Sequence, residues 1–205
     1  MMCRFKKIMN ITVVSLFEPL TDPDGIYINT TSRSVTEWTR QLSPFYLGPC
    51  NLYEDFVAKK MENAWQYCKV YDCHVDDEDD PNEKYFEWAF KGWNKDLAVR
   101  YPMGKGAVPK YVYFDHEKYT YIEARQHVYI PLYARAVLKT DAYQRLKSLA
   151  ESGKNIYLMD FDAYKHRDFN MTLTQVMNNP NKKMGHAFVL MMLLTNDDVL
   201  KNITI

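Results

Sequence analysis

Apolar residues fall in short runs separated by clusters of turn-forming residues. Runs at 11–17 and 26–30 have strand lengths and flank the turn-rich segment 19–25, so both are predicted strands. Segment 31–48 shows no clear period and contains Leu42-Ser43-Pro44-Phe45. Residues 50–60 read as a hairpin turning near Tyr53-Glu54-Asp55, and 61–71 as a helix. Five consecutive acids at 76–80 read as a solvated loop. Pro81 opens a helical pattern running to about Ala98. Pro102, Gly104, Gly106 and Pro109 make 101–110 a loop, and 112–114 reads as a short strand. A helix over 121–138 is kinked or split at Pro131. Asp141 with Gln144 reads as a capping box for a helix closed by Gly153. A buried strand follows at 155–160, then a short helix opened by Thr172 and Gln175, and a very apolar helix over 183–194. The expected architecture is α+β, mainly helical. It is one compact domain over 1–205, with a few short strands at the N-terminus, one near 155–160 and an acidic loop at 76–83.

Composition narrows the partners. The 205 residues carry 26 Lys+Arg and 26 Asp+Glu, so the formal net charge is zero. That argues against coating nucleic acid non-specifically, which needs a basic excess. Setting aside the five acids at 76–80, the other 200 residues carry +5, which leaves room for a mildly basic pocket. No run approaches the ~20 apolar residues of a membrane span, so no membrane is expected. Arg4, Lys6 and Lys7 precede the apolar run 8–17, but Asn10, Thr12 and Ser15 interrupt it and no small-x-small site follows, which favours a strand over a signal peptide. Cys3, Cys50, Cys68 and Cys73 have neither disulfide-framework nor zinc spacing, so reduced thiols in the cytoplasm are expected. The Asn-x-Ser/Thr sequons at Asn10, Asn29, Asn170 and Asn202 are then chance matches. The 16 Tyr stand against only 7 Gly, and Tyr111, Tyr113, Tyr119, Tyr121, Tyr129 and Tyr133 cluster in 111–133. Such aromatics stack on bases or, more simply, pack in a core.

Three constellations carry chemistry. Glu62, Gln66 and Lys69 lie at i, i+4 and i+7, one face of the expected helix. A surface helix bears such a stripe with no function. Here Trp65, Tyr67 and Tyr71 flank it, and a carboxylate beside an amine in aromatic surroundings suits acid/base or Schiff-base chemistry. Asp160 and Asp162 lie at a strand end, where sites are commonly built, although turns also favour acids. Arg100, Lys105 and Lys110 sit on or beside a Gly/Pro loop, and Lys182 and Lys183 precede the Gly185-His186 helix start, a possible phosphate seat. The five histidines form no metal-binding pattern, and P-loop, Rossmann and nucleophile-elbow motifs are absent, so no metal or cofactor is expected.

The order of these pieces resembles the NADAR domains. Ser43-Pro44-Phe45 is similar to that family's serine-x-phenylalanine element. Glu62-Asn63-Ala64-Trp65-Gln66-Tyr67-Cys68-Lys69-Val70-Tyr71 resembles its helix motif of Glu, Gln four on, Lys three further and then an aromatic. Ala98-Val99-Arg100 with the glycine loop, the helix 121–138, the segment 142–149 and the strand ending at Asp160 follow in the family's order. Asn181-Lys182-Lys183-Met184-Gly185 is similar to its closing helix start. The resemblance spans about 27–195. It departs where Asp162-Ala163-Tyr164 runs into Lys165-His166 instead of Trp-Gly, and in larger inserts at 72–83 and 165–180. The chain also looks like a phage-type branch without a characterised activity.

The resemblance implies action at an N-glycosidic bond. The family includes hydrolases that remove ADP-ribose from guanine in DNA and N-glycosidases of riboflavin-pathway intermediates. Carried over, Glu62, Lys69 and Asp160 are the catalytic candidates, and Trp65, Gln66 and Arg100 line the pocket. Lys105, Asp162, Lys183 and Gly185 complete the candidate ligand site. Glu62 or Asp160 would be the acid/base group for an oxocarbenium-like transition state, and Lys69 the nucleophile or the proton donor to the leaving base. The expected ligand is an ADP-ribosylated nucleobase or related nucleotide, with single-stranded nucleic acid as one form of substrate. The site is expected in the cytoplasm, the host's if phage-encoded. Two alternatives stand beside this: a non-catalytic ADP-ribose or nucleotide-binding module, and a phage structural or host-interaction protein using the tyrosines of 111–133.

Overall fold

The computed structural model describes residues 10–205; Cys3, Arg4, Lys6, Lys7 and the first two residues of the apolar run 8–17 lie outside them. Strands β1 (Ile11–Ser15) and β2 (Ile26–Asn29) form where expected. A single helical turn, α1 (Glu37–Arg40), lies within the segment read as irregular. β3 (Cys50–Asn51) and β4 (Val57–Ala58) make the expected hairpin. The helix expected over 61–71 is shorter: α2 (Met61–Gln66) ends before Tyr67, and Lys69 belongs to β5 (Lys69–Val70). α3 (Glu83–Trp93) begins at Asn82, whose side chain accepts from the Tyr85 N–H. It stops short of Ala98 because Asn63 takes the next backbone segment, donating to the Lys95 and Leu97 carbonyls and accepting from the Val99 N–H.

β6 (Tyr111–Phe114) and β7 (Glu117–Tyr119) form a hairpin, of which only β6 was expected. Asp115 and His116, at φ 50° and 65°, make the two-residue turn without the usual Asn-Gly signal. β6 also captures β5: the Tyr113 N–H donates to the Cys68 carbonyl at 2.7 Å, and Lys110 to Val70 at 2.8 Å. This pairing is what stops α2. The acidic run is tied down as well as solvated, since Lys110 pairs with Asp79, and Lys118 with Asp80 at 2.6 Å.

The expected kinked helix is α4 (Tyr121–Ala124), a π turn over Arg125–Tyr129 and α5 (Ile130–Val137), run together. Pro131 has no N–H to give, and the wider turn before it absorbs the missing bond. α6 (Asp141–Ala150) is capped by the Thr140 hydroxyl, one residue before the expected Asp141. β8 (Ile156–Asp160) and α7 (Leu173–Met177), with its Thr172/Gln175 capping box, are as expected. α8 (His186–Thr195) starts three residues later than the 183 expected.

β1 and β2 do not pair with each other. Both run parallel to β8, in the order β1-β8-β2, with Val13 and Ile28 on either side of Leu158. α8 is apolar nearly all round, as a helix enclosed on every side should be, and packs on β1, β8 and α5. α2 also packs on α5 and is buried throughout. More helix than strand makes the chain an α+β protein. Among the described residues no helix is long and apolar enough to cross a membrane, and Cys50, Cys68 and Cys73 are free thiols.

Candidate active site

α2 is fixed beneath the 43–47 turn by its first N–H groups: Met61 donates to the Leu47 carbonyl and Glu62 to the Pro44 carbonyl, both at 2.9 Å. Being buried throughout, α2 carries Glu62 and Gln66 into the interior, with Glu62 only 6% exposed. The chain then turns into β5 and brings Lys69 back to the same point. Lys69 Nζ donates to Gln66 Oε1 at 2.7 Å, and Gln66 Nε2 donates to Glu62 Oε1 at 2.9 Å. The three residues expected on one helix face are therefore together, but across a helix–strand junction. Lys69 Nζ also lies 5.0 Å from the Trp65 ring centroid, and Trp65 meets Tyr129 edge-on at 5.1 Å.

The second wall is the junction of β8 and α8. Asp160 is 4% exposed and both its oxygens are engaged. Oδ1 accepts from the Phe161 N–H at 2.7 Å. Oδ2 accepts from the Ala187 N–H at 3.2 Å and lies 2.9 Å from His186 Nδ1. A Cβ on Gly185 would stand 2.2 Å from Asp160 Oδ2, so only glycine fits there. The helix start proposed as a phosphate seat is thus capped by this protein's own carboxylate. His186 Nε2 lies 2.9 Å from the Thr30 carbonyl. With acceptors at both ring nitrogens, the imidazole is satisfied only as the doubly protonated cation.

Glu62, Trp65, Gln66, Lys69, Arg100, Asp160, Asp162, Lys183 and Gly185 all line one cavity of about 630 Å³. Ser43 and Phe45 line it too. Asn63, by holding 95–99, delivers Arg100 to the rim, where it meets Asp162 at 2.9 Å; Lys183 reaches the same carboxylate at 3.6 Å. Lys105 is the exception: it lies exposed on the 101–110 loop, outside the lining, because that loop turns away after Tyr101. Lys110 is spent on Asp79, and Lys182 Nζ lies over the Phe169 ring at 3.8 Å.

Sequence reasoning missed Arg33, Tyr121, Arg125, Tyr129 and His186, which share the lining. Arg33 stands 5.1 Å over Phe161. Arg125, 2% exposed, donates to the carbonyls of Met177, Asn179 and Lys182 at 3.1, 2.9 and 2.7 Å and stacks 4.5 Å from the Tyr121 ring. It ties the π turn to the end of α7 and to the segment leading into α8. Of the six tyrosines in 111–133, only Tyr121 is exposed, and it stands at the cavity rim; the rest are half-buried or buried. They offer no exposed aromatic patch.

The electrostatics follow from burial. Desolvation pushes the Glu62 carboxyl above its ordinary 4.5, against the pull of Gln66, Lys69, Arg100 and His186. Desolvation lowers Lys69 to about 8, Glu62 opposing it. Burial alone would raise Asp160, but the His186 charge and hydrogen bond, with the two N–H groups, outweigh it and hold the carboxyl low. The same pairing outweighs burial in His186 and holds its pKa above 6.5. The cavity therefore offers one carboxyl that takes up a proton readily and one amine that gives one up readily, beside a fixed cation–carboxylate pair. Arg33, Arg100 and Lys183 supply positive charge nearer the surface.

No curated protein matches the chain. A family described only as of unknown function, DUF6939, matches residues 17–190, which include every residue lining the cavity, and the chain belongs to that family.

Proposed function

We propose that this protein is an N-glycosidase of NADAR-like type, a single domain acting in the cytoplasm on an ADP-ribosylated nucleobase or a related nucleotide. The observation that carries the reading is the Lys69–Gln66–Glu62 hydrogen-bonded series inside a cavity of about 630 Å³. That volume lies within the range of about 300–1,000 Å³ typical of small-molecule sites. Arg33, Arg100 and Lys183 suit phosphate oxygens, and Trp65, Phe45 and Tyr121 suit the flat faces of a base.

In the reaction, a water oxygen attacks the anomeric carbon as its bond to nitrogen breaks. The Glu62 carboxylate takes the water's proton and faces the oxocarbenium-like charge on the sugar. The Lys69 ammonium gives a proton to the leaving nitrogen. Asp160, with both oxygens engaged, acts as a positioning group, holding His186 and the start of α8.

The test is release of free base or ADP-ribose by Glu62→Gln and Lys69→Ala. Each variant should lose about 10²–10⁴-fold in rate. Wild-type rates in both would overturn the assignment. With Lys69 as proton donor, the rate falls as pH rises through about 8; a rate that climbs there makes the neutral amine the nucleophile. The satisfied state of Asp160 favours one second reading, a module that binds ADP-ribose and leaves it intact. Calorimetry with ADP-ribose, followed by chromatography showing unchanged ligand, would select it.

A further inference from the structure

A second cavity, of about 500 Å³, lies outside the site described above, between the end of α5 and the segment 46–51. Its chemistry is one-sided. Arg135 and Lys139 line it, with Gln41, Asn51, Tyr46 and Cys50; no Asp or Glu lines it. Among the described residues neither Arg135 nor Lys139 makes a salt bridge. Both bear on one point: Cys50, 4% exposed and raised by burial to about 11, is pulled back by these two cations.

The pair is unfavourable by itself. Two like charges beside one cavity repel each other when no anion lies between them. Arg135 lies in the last turn of α5 and Lys139 two residues past its end, so both cations stand at the same helix C-terminus, beside the cavity. The opposite wall is preformed. Leu47 is held by its N–H on the Ser43 carbonyl and by Met61, and Cys50 by pairing with Ala58. A Cβ on Gly48 would meet the Lys59 carbonyl oxygen at 2.2 Å, so the wall packs tightly on its support.

We propose that this groove is a second, phosphate-binding site, in which Arg135 and Lys139 grip the phosphate oxygens and the Gln41 and Asn51 amides complete the donor set. Charged donors converging on a cavity without a carboxylate are what a phosphate group requires. Tyr46, 47% exposed at the edge, offers a face to a ring attached to that phosphate. The site stands whether or not the first cavity is catalytic.

Pyrophosphate titrated at low salt into the full chain, followed by amide NMR shifts, tests the proposal. Saturable shifts are expected at Gln41, Tyr46, Asn51, Arg135 and Lys139. Arg135→Gln with Lys139→Gln should weaken binding about tenfold or more, while Arg100→Gln in the first cavity leaves these shifts in place. Both substituted side chains are exposed, so the variant's spectrum should otherwise match the wild type. Arg135→Glu supplies the complementary test: binding is lost while the fold holds, because the substituted side chain is exposed. Adenosine monophosphate binding more tightly than inorganic phosphate would bring Tyr46 into the site. Shifts that never saturate, that survive the double substitution, or that appear only around Arg33, Arg100 and Lys183 would overturn it.

Discussion

Gln66 accepts from the Lys69 ammonium at its amide oxygen and donates its NH₂ to the Glu62 carboxyl, and so keeps the two apart yet linked. An ammonium and a carboxylate in direct contact would stabilise each other's charge and work against the shifts that burial produces. His186 is the other decisive residue, and it yields a prediction. Its folded pKa lies above its ordinary 6.5, so its contribution to stability is present in full below 6.5 and is lost as pH rises through the folded value. Urea denaturation of the wild type and His186→Gln should show a wide stability gap near about pH 6 that narrows toward about pH 9. A gap that stays constant or widens would contradict a buried imidazolium. What was legible here depended on where partners lie in the chain. Glu62, Gln66 and Lys69 are close in sequence, so their spacing revealed them even though the helix carrying that spacing ends at Gln66. His186 pairs with Asp160 and Thr30, far away along the chain, and no local pattern announces that. Arg125 directs most of its hydrogen bonds to backbone carbonyls, which look the same in every residue.

At the scale of elements, the site is made at junctions: α2 with β5, and β8 with α8. Each junction depends on one short-range accommodation. At the second, the absence of a side chain on Gly185 lets the Asp160 carboxylate reach the α8 start. Gly185→Ala should therefore cost about 2 kcal/mol, a fall in Tm of about 4–8 °C, and should displace His186. Thermal unfolding monitored by circular dichroism checks it; an unchanged Tm would mean the junction has room to give. Element types were legible where local rules dominate, as in the Thr172/Gln175 capping box and the short apolar run of β8. They failed where tertiary pairing overrode them. β6 cut short the helix pattern at 61–71, and Asp115-His116 made a hairpin turn without its usual residues.

Across the whole molecule, one strand joins what the rest of the chain separates. Val13, Leu158 and Ile28 stand side by side in the parallel sheet under α8. Leu158→Ala, fully buried, should cost about 2–5 kcal/mol. Loss of structure and loss of ligand binding should then coincide in a denaturant titration; a binding loss that precedes unfolding would mean the sheet and the first cavity come apart separately. The α+β mixture was legible from element types, but the order β1-β8-β2 was not, since it pairs Ile156 with Ile11 and Ile26, both more than a hundred residues back along the chain. That order has a consequence for synthesis. While the ribosome has made only the first 155 residues, β1 and β2 have emerged but have nothing to pair with, and the wall carrying Asp160 and His186 does not exist. Until then the nascent chain holds two open strand edges, exposed to other chains and to holdase chaperones, and the cavity closes only once residues 183–186 have followed β8.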